Sequence, residues 1–387
     1  MELKPGYKQT EIGVIPADWS VKAIRSIAEI IGGGTPSTSV TEYWNGKIHW
    51  VSAGDISNSN GRYVQETAYH ISELGLKSCS ASMMPISTTV IIARGATVGR
   101  MAQLGNEMTF NQTCYGLRPT SELDQDYLYY SMLFSINSIK ALTYGSIFGT
   151  ITTNSFEQWK IPLPPFSEQR AIAAALSDVD ALLAALDTLI AKKRLVKQGE
   201  MQELLTGKRR LLGFSGEWKP KKLWEVLILR YGKGQQGIVV DGGKYPIIAT
   251  SGEVGRTDQY LYDKPSVIIG RKGTIDIPQY IDTPFWTIDT AYYSEISAQG
   301  HPKFLFYLLT TINWYSYNEA SGVPSLNAST VGNIEISLPS IPEQTAIAEI
   351  LSEMDAEIAA LEARREKTRL LKEGMMQELL TGRIRLI

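Results

Sequence analysis

Two stretches and three scattered histidines carry residue types that could do chemistry, and each lacks what the chemistry needs. LPPF at residues 163–166 has the shape of the [DN]PP[YF] loop of amine-directed methyltransferases. The first residue of that loop must accept a hydrogen bond from the target amine, which Leu163 cannot do, and no FxGxG-type cofactor loop stands upstream. YGKGQQG at 231–237 is glycine-rich but lacks the GK[ST] that would hold phosphate and magnesium. The three histidines, His49, His70 and His301, lie far apart and suggest neither a metal triad nor a nucleophile–base pair. Cys79 and Cys114 lack CxxC spacing, which suits a reducing cytoplasm and implies no metal site. No paired acidic/Lys strand motif of a nuclease stands out among the carboxylates. No catalytic residue, metal or bound cofactor is therefore expected in this chain.

A chain without a reactive centre but with a strong internal repeat is built to position something. Residues 166–211 (FSEQRAIAAALSDVDALLAALDTLIAKKRLVKQGEMQELLTGKRRL) recur at 341–386 (IPEQTAIAEILSEMDAEIAALEARREKTRLLKEGMMQELLTGRIRL). They match at 26 of 46 positions, without a gap, at a constant offset of 175 (341 − 166). Two copies are too few for a solenoid, so a duplicated half-molecule with two equivalent working surfaces is expected. In the first copy Ile172, Leu176, Val179, Leu183, Leu186 and Ile190 alternate in steps of four and three; Ile347, Leu351, Met354, Ile358 and Leu361 repeat the phase. That spacing predicts a long helix in each copy, about 36 residues or roughly 54 Å, with one narrow seam for a partner helix.

The plainer reading is two core helices in separate domains, but the charged residues flanking so narrow a seam favour an exposed pair. Each copy is acidic first (Asp178, Asp180, Asp187; Glu349, Glu353, Asp355, Glu357) and basic later (Lys192, Lys193, Arg194, Lys197; Arg364, Arg365, Lys367, Arg369, Lys372). Acid therefore meets base only if the helices run antiparallel. Exposed pairs, at about 0.2–1 kcal/mol each, select that orientation rather than supply stability. Gly199 and Gly374 sit inside both patterns, at a cost near 1 kcal/mol each, and suggest a close helix approach or a bend.

The stretches before the helices are related more faintly. GVIPADWSVKAI (13–24) corresponds to GFSGEWKPKKL (213–223), and VIIARGATV (90–98) to VIIGRKGTI (267–275). YLYYSML (127–133) corresponds to FLFYLLT (304–310), and KIPLPPFSEQ (160–169) to EISLPSIPEQ (335–344). The proline elbows should stop a strand and launch the helix, with Ser167 as an N-cap and Pro342 in the first turn. Between the landmarks the chain is β-rich, with Gly, Ser, Thr and Asn turns, so each domain is α+β. The expected layout is a first domain at 1–165, a helix with linker at 166–211, a second domain at 212–340 and a second helix at 341–387. At 387 residues and 43% hydrophobic content two such domains are affordable. No apolar run approaches 18 residues and the start has no signal-peptide core, so neither a membrane span nor export is expected.

The opening GGGTPSTSVTEYWNGKIHW (32–50) with Asp55, the LPP…EQ elbow and the two MQELLTG endings at 201–207 and 376–382 resemble the specificity subunits of type I restriction-modification systems. The resemblance spans essentially the whole chain. It implies two β-rich target-recognition domains joined by two antiparallel coiled-coil helices in a pseudo-two-fold arrangement. It also implies a non-catalytic, cytoplasmic protein whose domains each read one part of a split, asymmetric site on double-stranded DNA while the helices set the spacer. Two methyltransferase subunits would dock on it, using S-adenosylmethionine to methylate adenine at N6. Restriction subunits with ATP and Mg would join where present. The second domain has YGKGQQG and YPIIATSGEVG (245–255) in place of the GGTPS opening, so the two halves should read different sequences.

Base readout needs Arg or Lys toward guanine, Asn or Gln toward adenine, and small groups against the thymine methyl. Candidates in the first domain are Asn58, Asn60, Arg62, Tyr63, Arg94, Arg100, Gln112, Tyr144, Ser146 and Phe148. In the second they are Lys233, Gln235, Gln236, Ser251, Arg256, Arg271, Lys272, Thr274, Tyr292 and Ser325. For each one the plain alternative is a solvated or turn-forming side chain. For the whole chain the alternative is a non-catalytic coiled-coil adaptor with two protein-binding domains, which a net charge of −2 would suit.

Overall fold

Both copies of the repeat form unbroken helices of 39 residues, Phe166–Leu204 and Ile341–Leu379, about 58 Å long. The computed structural model describes residues 5–59, 61–141 and 150–386. The first helix starts at Phe166, two residues earlier than an N-cap at Ser167 would put it. Ser167 thus lies inside the first turn rather than capping it, and the backbone N–H groups of Glu168 and Gln169 are taken up by the Pro165 carbonyl at 2.9 and 3.0 Å. Pro342 stands second in its helix, where a missing N–H costs nothing.

Two compact units result: Met1–Thr188 with Glu362–Ile387, and Leu189–Leu361. The boundaries fall inside the long helices, not at their ends as the sequence layout had them. The reason is packing. At the start of each helix the seam runs into a domain core, so Ile172 and Leu176 share one cluster with Trp19, Ile24, Tyr130 and Met376. In the other unit Ile347 and Leu351 share a cluster with Leu204, Leu223 and Tyr307.

Within the first unit, strands Ala28–Gly32, Cys114–Pro119, Thr89–Ile92 and Met101–Leu104 form an antiparallel sheet in that spatial order, with Tyr63–Val64 added in parallel at its edge. A second sheet sets Thr109–Phe110 parallel and Tyr69–Ile71 antiparallel to the central strand Trp44–Val51. The second unit repeats the plan. Leu227–Tyr231, Ala291–Ile296, Ser266–Gly270 and Gln279–Ile281 make its main sheet. Gly252–Thr257, Tyr245–Ala249 and Trp286–Thr287 make the smaller one, again with one parallel and one antiparallel pairing. The two VII tracts are fully buried centre strands, which explains why they are apolar without alternation.

Inside each unit the long helices run antiparallel, since rising numbers on one meet falling numbers on the other. Asp180 pairs with Lys372 at 2.6 Å and Asp187 with Arg365. In the second unit Lys193 pairs with Glu357 at 2.7 Å and Lys197 with Asp355. Acid meets base in each of these pairs, as the charge order requires. Val179, Leu183, Met354 and Leu361 are half-buried, and Leu186, Ile190 and Ile358 are buried. Among the described residues, no helix is long and apolar enough to cross a membrane.

At Gly199 and Gly374 the structure corrects one of the two expectations, the close approach of helices. Both are exposed, and a Cβ built at either would meet nothing within 4 Å, so neither permits a close approach of helices. The glycines of the two MQELLTG endings, by contrast, do need to be glycine. Gly207 and Gly382 both sit at φ +71°, and a Cβ on Gly382 would lie 2.4 Å from Pro16. Replacing Gly199 or Gly374 by alanine should therefore raise stability by roughly 1 kcal/mol each, the helix-propensity difference alone. Denaturant midpoints of the two variants measure this, and a loss of stability would show a contact at that face.

Candidate functional site

One end of each main sheet gathers loops at equivalent places. In the first unit the chain leaves strand Ala28–Gly32 through Gly33, where an added Cβ would lie 2.1 Å from the Asn111 carbonyl, so that the two loops touch backbone to backbone. Gly34 N–H bonds the Phe110 carbonyl at 3.0 Å and Ala93 N–H bonds that of Thr113 at 2.8 Å. Thr35 Oγ1 donates to the side-chain oxygen of Gln112. Gln112 and the exposed Arg94 are thereby presented from neighbouring turns. In the second unit Gly232 plays the part of Gly33, with Ile288 O at 2.0 Å from its Cβ position. Lys233 N–H bonds Thr287 O at 2.9 Å, and Arg271 and Lys272 N–H bond Thr290 O at 2.8 and 3.0 Å. Arg271 lies over the Tyr231 ring at 5.4 Å and donates to Asp289 O at 2.6 Å. Lys233 and Lys272 are exposed beside it, and Lys272 pairs through its backbone with Ser325. Arg94 and Arg271 follow the two matched VII tracts, so the duplication puts an arginine at the same turn of each unit.

The other candidates divide by exposure. Asn58, Gln236 and Ser251 are exposed, and Tyr63 is 38% exposed. Arg100 is exposed but tethered, its guanidinium donating to Ser57 O at 2.9 Å. Gln235, Thr274 and Ser325 are half-buried. Arg256 is held by the carbonyls of Gly243 and Lys244 at 2.6 and 3.0 Å and by Glu253 at 3.1 Å. Asn60, Tyr144, Ser146 and Phe148 lie outside the described residues.

Two candidates are corrected. Arg62 is 9% exposed and spends its guanidinium on Asp126, Gln103, Tyr130 and Ser177. The parallel pairing of Tyr63–Val64 with Met101–Leu104 sets Arg62 beside Gln103, whose N–H bonds the Arg62 carbonyl at 2.8 Å. Tyr292 is 1% exposed, its hydroxyl donates to Leu326 O at 3.0 Å, and burial pushes the phenol up to about 12. Folding also overturns the separation of the histidines. His49 and His70 stand opposite each other on paired strands, ring centroids 4.5 Å apart.

The residues the sequence reading passed over are those that seat each domain on the helices. Glu168 and Glu343, both 1% exposed, lie in the first turn of their helices. Glu168 accepts from Trp19 Nε1 at 2.9 Å and from Arg385 at 2.6 and 2.8 Å. Glu343 accepts from Arg210 at 2.6 and 2.7 Å. Arg385 and Arg210 stack on Trp19 and Trp218 at 5.7 and 5.8 Å. The next residues, Gln169 and Gln344, bond the backbone of Asp124 and His301, each at 2.8 Å.

About three turns further on, Tyr130 OH donates to Asp180 and Tyr307 OH to Asp355, each at 2.7 Å. Burial first, and then the carboxylate, keep both phenols well above their ordinary range, so they remain donors. Lys372 and Lys197 cover the same rings at 5.4 and 5.2 Å. The available sequence signal was the repetition of EQ and of the closing arginine at the same offset in both copies.

A family model described as the type I restriction modification DNA specificity domain matches residues 16–193 and 215–371. The chain belongs to this family. It is 26% identical to the type I restriction enzyme MjaVIII specificity subunit of Methanocaldococcus jannaschii over 96% of this chain and 94% of that one. The EcoprrI specificity subunit of Escherichia coli is 24% identical over 86% of both chains. The MjaIX specificity subunit of M. jannaschii is 36% identical over 46% of this chain and 41% of its own. The crystal structure of a type I restriction-modification S subunit from M. genitalium shares the fold across 98% of both chains, with a TM-score of 0.68 at 18% identity. The two matched segments of the family model correspond to the two copies of the duplication.

Glu168→Gln should cost roughly 2–3 kcal/mol, below the full cost of breaking a buried pair because Arg385 remains partly solvated. The loss should be local. Hydrogen exchange should rise in the aromatic helix Gln125–Ala141 and stay unchanged in its counterpart Pro302–Thr310, with Glu343→Gln giving the converse. Equal loosening of both units by either substitution would mean that the carboxylates are not what seats each domain.

Proposed function

We propose that this chain is the DNA-reading specificity subunit of a type I restriction-modification enzyme. Each unit reads one part of a split, asymmetric site on double-stranded DNA, and the paired helices set the spacer. The observation that carries this reading is the pairing of equivalent seats with different loops. Glu–Arg–Trp and Tyr–Asp–Lys contacts recur in both units, whereas the sheet-end loops offer Arg94 and Gln112 in one and Lys233, Arg271 and Lys272 in the other. A scaffold kept constant under different polar loops suits two readers of different sequences better than an adaptor with two equal docking sites.

Methyl transfer belongs to partners in this reading. Two modification subunits dock on the helices and domain bases, bind S-adenosylmethionine and methylate adenine at N6. A restriction subunit using ATP and Mg joins where the system has one. This chain would contribute recognition and spacing, in the cytoplasm, without catalysing either reaction. Leu163 supports that division, since it stands where an amine-directed methyltransferase loop needs an acceptor.

The direct test is DNA binding by the assembled methyltransferase. Arg94→Ala should weaken it and alter discrimination in one half-site; Lys272→Ala should act on the other. A base contact should cost about 1–3 kcal/mol and relax specificity at one position, while a phosphate contact should lower affinity uniformly and reduce the salt slope by about 1. Affinity measured against salt on wild-type and half-site-scrambled duplexes distinguishes these outcomes. No effect from either variant would remove the sheet-end loops from the interface.

The helices are tested by length. Four residues inserted within residues 181–190 add about one turn, or roughly 6 Å. At about 3.4 Å per base pair the recognised spacer should lengthen by about one to two base pairs, with both half-sites unchanged. Some affinity should be lost because four residues do not complete a heptad. Sequencing of N6-methyladenine in cells carrying the variant reads the answer, and an unchanged spacer with normal activity would make the helices docking surfaces only.

A further inference from the structure

We infer that His49, Glu66 and His70 form a binding site for a borderline divalent cation of the Zn2+ class in the first unit. Each offers one ligand atom, and these atoms lie within 4.8 Å of one another. Two imidazoles and one carboxylate are a common donor set for zinc with a coordination position left open. The pair of histidines is set by the backbone. His49 on strand Trp44–Val51 is directly opposite His70 on Tyr69–Ile71, and the rings stand 4.5 Å apart at 51°.

The third donor can move. Glu66 is exposed, in the connection between Tyr63–Val64 and Tyr69–Ile71. Bonds of about 2.0–2.1 Å in tetrahedral geometry bring donors to about 3.3 Å from one another. The ligand atoms, within 4.8 Å of one another, would close by up to about 1.5 Å on binding, and the exposed Glu66 side chain, outside the strands, is the one placed to supply that movement.

A neighbouring hydroxyl prepares one ligand. His49 Nδ1 lies 3.2 Å from Thr67 Oγ1, and that hydroxyl already donates to Tyr69 O at 2.8 Å. Thr67 must therefore accept from Nδ1–H, which leaves Nε2 of His49 with the free lone pair. An outer partner of this kind fixes the tautomer of a metal-bound histidine.

His70 also lines a cleft of about 530 Å3 walled by Trp44, Trp50 and Tyr69. A cation held by the three residues would lie beside this aromatic cleft, which His70 alone of the three lines. It would also brace residues 65–68, where Ala68 N–H bonds Asp55 at 3.0 Å, against the smaller sheet.

The test uses untagged full-length chain stripped with a chelator and titrated with ZnCl2 by calorimetry, with Co2+ as a spectroscopic probe. One equivalent per chain, a raised melting temperature and a tetrahedral Co2+ absorption are expected. His70→Ala should abolish the site. Glu66→Gln, a change at an exposed residue that leaves the fold intact, should weaken Zn2+ by about tenfold or more, and Thr67→Val by a comparable factor. His301→Ala, in the other unit, should leave it unchanged. Absence of a saturable one-to-one site, or Zn2+ affinity unaltered by Glu66→Gln together with His70→Ala, would overturn the assignment.

Discussion

A buried carboxylate in the first turn of each long helix is the constraint on which the rest of the structure depends. Glu168 and Glu343 are nearly inaccessible to water, and an anion in that position must find strong donors. Part of the compensation comes from its place at a helix N-terminus, where backbone dipoles favour negative charge. The remainder comes from an arginine beyond the end of the other long helix, Arg385 or Arg210, each bonding with two nitrogens. Such a fork matches a carboxylate in both geometry and charge. One contact thereby seats three elements in each unit: the start of one helix, the tail of the other and the tryptophan entering the domain.

The second contact layer follows from the first. Once the helices are seated antiparallel, Asp180 and Asp355 face the aromatic helices of their own units and accept from Tyr130 and Tyr307. Lysines from the opposing helix close over the same rings. These groups are partly shielded from solvent, so they weigh more than the exposed Arg365–Asp187 pair further along. The seam residues exclude water, while the polar contacts choose register and direction. A fixed register matters if the helices act as a ruler between two readers.

The duplication explains how specificity can differ between units without altering the frame. Gly33 and Gly232 allow equally close backbone approaches at the same corner, so the turn geometry is retained. Side chains beyond those corners are free to vary because the turns are held mainly by backbone-to-backbone bonds that any residue would supply. The Thr287 carbonyl accepts from the backbone N–H of Lys233 and that of Thr290 from the backbone N–H of Arg271 and Lys272, while the Arg271 side chain adds a bond to the Asp289 carbonyl.

The sequence by itself determined the duplication, the two long helices, their direction and the α+β class of the domains. Those follow from local period, charge order and repeated motifs, which linear spacing records directly. It marked the proline elbows and buried VII strands for the same reason. Only the tertiary structure decided where the units divide, because the seam of each helix merges with a domain core, a property of packing rather than of pattern. Tertiary structure likewise took Arg62 and Tyr292 out of the accessible surface, since strand pairing and a long-range acceptor set their direction. It brought His49 opposite His70 through a ladder that no spacing rule shows. Of the two readings the sequence offered for Gly199 and Gly374, a close helix approach or a bend, the structure removes the first, since both positions are open to solvent. The polar seats Glu168 and Glu343 were printed in both copies. Their role depended on partners 217 and 133 residues away, and such a distance is closed only by folding.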